Sequence, residues 1–77
     1  MLGFMFTSKE CQELEYLLKR ELEEMLLDLG DKRIDWLVKR AMEERYQILF
    51  RMYARFAAPS ELSKYARRRN HEEMPFT

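Results

Sequence analysis

Two glycines and two prolines in 77 residues leave little material for tight turns or irregular loops, so most of the chain must be regular structure. The single cysteine, Cys11, cannot close an internal disulfide, and with His71 as the one histidine there is no Cys/His cluster to hold a metal. Net charge is also missing, because 14 Lys and Arg balance 14 Asp and Glu. Long apolar runs are absent as well. The longest uncharged stretch, Met1 to Ser8, is far short of the roughly 20 apolar residues that span a bilayer, which predicts no membrane partner. It also lacks the basic start and the longer apolar run of a signal peptide, which predicts a cytoplasmic protein. What remains is 47% hydrophobic and 36% charged, a balance that folds. A chain this short buries only about 60% of its unfolded surface, so stability must come from packing and a second copy would help.

The apolar residues have helical spacing. Thr7 followed by Glu10 is a capping box, with Phe6 and Cys11 placed to form a hydrophobic staple. Cys11, Leu14, Leu18, Leu22, Met25 and Leu29 then recur every three or four residues until Gly30, which predicts a helix over 8–29 closed by a left-handed glycine. Asp31 is placed to cap a second helix over 32–57. On it Ile34, Leu37, Val38, Ala41, Ile48, Leu49, Met52 and Phe56 form one stripe, read as the seam of an antiparallel hairpin. Pro59-Ser60 ends that helix, and Leu62, Tyr65 and Ala66 predict a short third helix over 60–69, with a mobile tail over 71–77. The expected fold class is all-α, a single domain over 1–70.

The second half of helix 2 carries more apolar surface than one neighbour can cover. Met42, Tyr46, Phe50, Tyr53 and Ala57 widen its stripe to an arc of about 200°; a short third helix could cover part of it in a monomer, but a second hairpin would cover more, which predicts a homodimer packed as a helical bundle through those five residues. Charge is segregated too. Helix 1 holds seven acidic and three basic residues, whereas residues 31–57 hold seven basic and four acidic. Opposite charges flanking an apolar seam set partner choice, and facing residues whose numbers sum to about 61 bring Glu15 beside Arg45 as a structural ion pair. Tyr16, Leu27 and Trp36 project from the outer faces, where exposed aromatics can anchor a partner.

Little here carries chemistry. Nucleophilic catalysis needs a base beside the nucleophile, and Cys11 falls in an apolar stripe while His71 lies in the tail. No Glu stands three residues before His71, so the Glu-x-x-His pair of di-metal bundles is missing, and neither glycine belongs to a phosphate-cradling loop. The sequence therefore predicts neither an enzyme nor a cofactor. Lys64, Arg67 and Arg68 share a helix face and form the densest positive cluster, which could contact phosphates of RNA or DNA.

One stretch carries a resemblance. Cys11-Gln12-Glu13-Leu14-Glu15 resembles the Ser-Gln-Glu-Leu-Asp signature of the small two-helix phosphatases that act on phosphorylated response regulators in spore formers. Three of five positions agree. Glu15 stands in place of the acidic residue that matters most in that family, Cys11 in place of Ser, and the stretch lies on the first helix instead of the second, so it assigns no family. The sequence leads to a small regulatory or adaptor protein that binds itself and another protein through helix faces. The alternative is a nucleic-acid binder that uses the basic side of helix 2 and the cluster from Arg67 to Arg69.

Overall fold

The computed structural model describes residues 1–67, and its first helix, α1 (Ser8–Leu29), opens on a reciprocal cap. The Thr7 hydroxyl accepts the Glu10 N–H at 3.1 Å while the Glu10 carboxylate accepts the Thr7 N–H at 2.9 Å. Two amide groups that the helix itself leaves unbonded are thereby satisfied. The stripe read from sequence faces inward. Leu18, Leu22 and Met25 are buried, and Cys11, Leu14 and Leu29 are half-buried at its ends.

The end of α1 departs from expectation. Gly30 has φ −83° and ψ −6°, an ordinary right-handed conformation, so its role as a left-handed stop is corrected. Asp31 does not cap the next helix either. Its carboxylate accepts the Arg33 N–H at 2.9 Å and the Arg33 guanidinium at 3.0 and 3.1 Å, closing a local turn. With Asp31 committed there, the second helix, α2 (Trp36–Tyr53), starts four residues later than position 32, with Asp35 at its cap position. Its far end also comes early. The Phe56 and Ala57 amides both bond to the Tyr53 carbonyl, tightening the chain into turns. Ala58 is extended (φ −70°, ψ 153°), as a residue before proline must be, and Pro59 opens α3 (Pro59–Leu62), a single turn followed by further turns to Tyr65. The third helix expected over 60–69 is thus one turn long within the described residues. Positions 68 and 69 and the tail over 71–77 lie outside them.

α1 and α2 form an antiparallel hairpin, and the segment 58–67 folds back over one side of it. Tyr46 and Tyr53 of α2 are fully enclosed, together with Leu22, and Tyr65 completes the cluster. Met42, Leu49, Phe50, Phe56, Ala57 and Leu62 pack around them. The five residues assigned to a dimer interface, Met42, Tyr46, Phe50, Tyr53 and Ala57, therefore belong to the hairpin's own core. The stripe assigned to the seam is left mostly outside. Leu37, Val38 and Ile48 are each at least half exposed, and Ala41 and Met52 are exposed as well.

The wider turn also changes the register. With 30–35 between the helices, the pivot lies near residues 32 and 33, which slides facing partners by more than a turn. Arg45 accordingly bonds Glu21 at 3.0 Å, so the expected Glu15–Arg45 pair is corrected to Glu21–Arg45.

Two buried hydroxyls on α2 differ in a way that stability can read. The Tyr46 hydroxyl donates to the Tyr65 carbonyl at 2.8 Å, whereas the Tyr53 hydroxyl has no hydrogen-bond partner among the described residues. Tyr46→Phe strands a buried carbonyl and is expected to cost about 1–2 kcal/mol, while Tyr53→Phe removes a desolvated group and should be neutral or stabilising. Urea melts of the two variants decide it, and equal losses would refute the difference.

Candidate functional site

The segment 58–67 is tied to the hairpin on one side only. The Tyr65 hydroxyl donates to Glu23 at 2.6 Å, Lys19 approaches Glu61 at 3.9 Å, and the Arg67 guanidinium donates to Glu43 at 2.8 Å while lying 5.7 Å from the centre of the Tyr46 ring. Tyr53 and Tyr65 stack edge to face, with ring centres 5.6 Å apart. Projected at about 100° per residue, Lys19 and Glu23 lie on one edge of α1 and Glu43 on the same edge of the hairpin, whereas Glu21 and Arg45 lie on the opposite edge. Among the described residues the Glu21–Arg45 edge is open.

On that open side α2 presents Val38, Ala41, Ile48 and Met52, with Leu37 further round and Arg45 among them. Helix α1 adds Leu17, half exposed, between Glu10, Glu13, Glu24 and Asp28. The row from Leu37 to Met52 runs about 23 Å along the helix. Single exposed apolar residues are ordinary, but several aligned on one helix face, here Leu37, Val38 and Ala41 and then Ile48 and Met52, are the kind of surface that partners cover.

The other residues singled out from sequence are spread over the molecule. Tyr16, Leu27 and Trp36 are all exposed, but they do not converge on the α2 row; Tyr16 and Leu27 point from the far side of α1. Met1 to Phe6 precede α1 without regular structure and are exposed throughout, with the Phe4 and Phe6 rings 6.3 Å apart. The cationic cluster is largely engaged within the chain. Lys64 bonds Glu61 at 3.1 Å and Arg67 bonds Glu43, while Arg68 lies outside the described residues. Arg40, Arg51 and Arg55 remain exposed along and just beyond α2, with no ion-pair partner among the described residues. Cys11 is half-buried, and no group of three metal-ligating side chains occurs among the described residues. No described helix is long and apolar enough to cross a membrane. Sequence reasoning found every residue of the exposed α2 row but assigned it to the wrong side of the helix.

Compared with known proteins, the chain matches no family model, no curated protein and no solved structure. The geometry of its own surfaces therefore carries the functional reading.

Burial of the tyrosines sets an alkaline limit on the fold. Enclosure pushes the Tyr46 hydroxyl up to about 12, with the Arg67 guanidinium pulling it down and the Glu43 carboxylate pushing it up. Burial also raises Tyr53, aided by Glu61, and raises Tyr65, aided by its hydrogen bond to Glu23. All three are neutral in both states below the ordinary tyrosine value near 10, so their contribution to stability is intact there. Between about pH 10 and 12 the unfolded chain releases protons that the folded chain keeps, and stability must fall, by on the order of 2 kcal/mol for Tyr46 alone. Denaturant midpoints measured from pH 8 to 12 should hold level and then decline, with a shallower decline in Tyr46→Phe. A level profile through pH 12 would contradict the burial of these groups.

Proposed function

We propose that the protein is a small non-enzymatic regulatory or adaptor module that works by helix-mediated protein–protein interaction. The observation that carries this reading is the apolar row of Leu37, Val38, Ala41, Ile48 and Met52, which the described residues leave exposed while Tyr46, Tyr53 and Tyr65 fill the core. Burying such a row against a partner helix releases water from its apolar side chains. The acidic edge around Leu17 and the exposed arginines of α2 supply charges that discriminate between partners without contributing much affinity at an exposed rim. The non-enzymatic part rests on the sequence, with its lone cysteine and lone histidine.

Binding to nucleic acid is the competing reading, and the Glu61–Lys64 and Glu43–Arg67 pairs weigh against it. A cation already held by a carboxylate must exchange that partner for a phosphate, which lowers the gain from each contact.

Site-directed photocrosslinking in native cell extract tests the proposal. A benzoylphenylalanine placed at Ile48 or Met52 is expected to give a discrete protein adduct that persists at high salt, and one placed at exposed Arg33 is not. Equal labelling from both positions, or none, would overturn the reading. In parallel, anisotropy with labelled RNA and DNA between 50 and 200 mM salt should show no binding at the upper end. Affinity that falls with a log–log slope of about −0.9 per phosphate and disappears in Arg67→Ala would transfer the function to nucleic acid.

A further inference from the structure

We infer that the occupant of the α2 row is a second copy of this chain, packed with the two α2 helices parallel and in register about a two-fold axis that runs along them. The inference rests on reading the row as a protein-binding surface, and it adds the partner and the orientation.

The order of residues across the row selects this arrangement. Ala41 and Ile48 run down the middle, Leu37, Glu44 and Arg51 line one flank, and Val38, Arg45 and Met52 line the other. All eight are exposed in the single chain. A two-fold axis parallel to the helices exchanges the flanks and keeps each residue at its own height. Leu37 then meets Val38 of the second copy, Glu44 meets its Arg45, and the stem of Arg51 lies over its Met52, while Ala41 and Ile48 each face themselves. Every position on the row finds an apolar or oppositely charged neighbour, and it does so twice by symmetry.

A two-fold axis across the helices gives the antiparallel alternative and keeps each flank facing itself. Glu44 would then meet Glu44, Arg45 would meet Arg45, and Leu37 would lie against Arg51. Like charges directly opposed at a contact centre cost free energy that the parallel arrangement does not incur. Arg45 remains available to Glu44 of the second copy because its guanidinium has five donors, and the bond to Glu21 in its own chain uses one of its nitrogens. The Arg45 side chain is 59% exposed in the single chain, which leaves room for that contact.

Sedimentation equilibrium at about 50 μM tests the second copy directly. The expected mass is twice the 9.5 kDa of the chain. Ile48→Glu should return it to the single-chain mass with unchanged helicity by circular dichroism, because Ile48 is exposed in the chain itself. Glu44→Arg should raise the dissociation constant about tenfold or more. A wild-type mass of 9.5 kDa overturns the inference, and a foreign-protein adduct from Ile48 in the same preparation would leave the protein-binding reading standing. Orientation is read by disulfides in a Cys11→Ser background. Ile48→Cys and Ala41→Cys should each oxidise to a covalent dimer on its own. Preferential cross-linking of the two variants to each other would overturn the parallel arrangement.

Discussion

The enclosed Tyr46 hydroxyl donates to the Tyr65 carbonyl at 2.8 Å, and that bond decides which way α2 faces. The helix carries two apolar rows, and either could turn inward on hydrophobicity alone. The row of Met42, Tyr46, Leu49, Phe50 and Tyr53 holds three aromatic rings, each burying on the order of 150–250 Å² when enclosed, more than the aliphatic row can offer. Burying a phenol costs less when its hydroxyl finds a partner. The segment 58–67 supplies one for Tyr46, and the same segment brings Tyr65 to Glu23 and Arg67 to Glu43. Turning the tyrosines inward and folding that segment over one side are therefore a single event.

Covering one side leaves the other bare. Apart from the enclosed Tyr46–Tyr65 bond, the polar ties of 58–67 lie on the edge of Lys19, Glu23 and Glu43, and none among the described residues reaches the edge of Glu21 and Arg45. The cover is also imperfectly satisfied, since the Tyr53 hydroxyl is buried without a hydrogen-bond partner among the described residues. Such a group costs about 1–3 kcal/mol, which the aromatic packing on this side must offset. Edge-to-face contact between Tyr53 and Tyr65 contributes to that packing.

Helix α1 was legible to the residue, because a capping box and a clean period of 3.6 are local signals that tertiary structure only had to accept. The all-α hairpin followed from the same periodicity. The orientation of α2 was not legible. Periodicity reports that an apolar face exists and is silent on which of two such faces is inside, and the deciding hydrogen-bond acceptor lies 19 residues beyond Tyr46 in sequence. The Glu21–Arg45 pair was missed for a different reason. Asp31 is as suitable for an Asx turn as for a helix cap, and its choice of Arg33 lengthened the connection and moved every cross-helix partner with it.

These two misreadings bear on the site in opposite ways. A shift of register alters which charges meet but leaves each face where it was. An inverted face turns a presumed core into surface, and here it leaves five aliphatic residues outside on a 77-residue chain that has little core to spare. Placing Tyr46, Phe50 and Tyr53 inside and Leu37, Val38 and Ile48 outside leaves α2 with aliphatic residues that would gain free energy from any apolar cover. Tyr46 and Tyr65 take specific polar partners from their own chain, whereas aliphatic side chains ask of a partner only shape and dryness, which a second surface can provide.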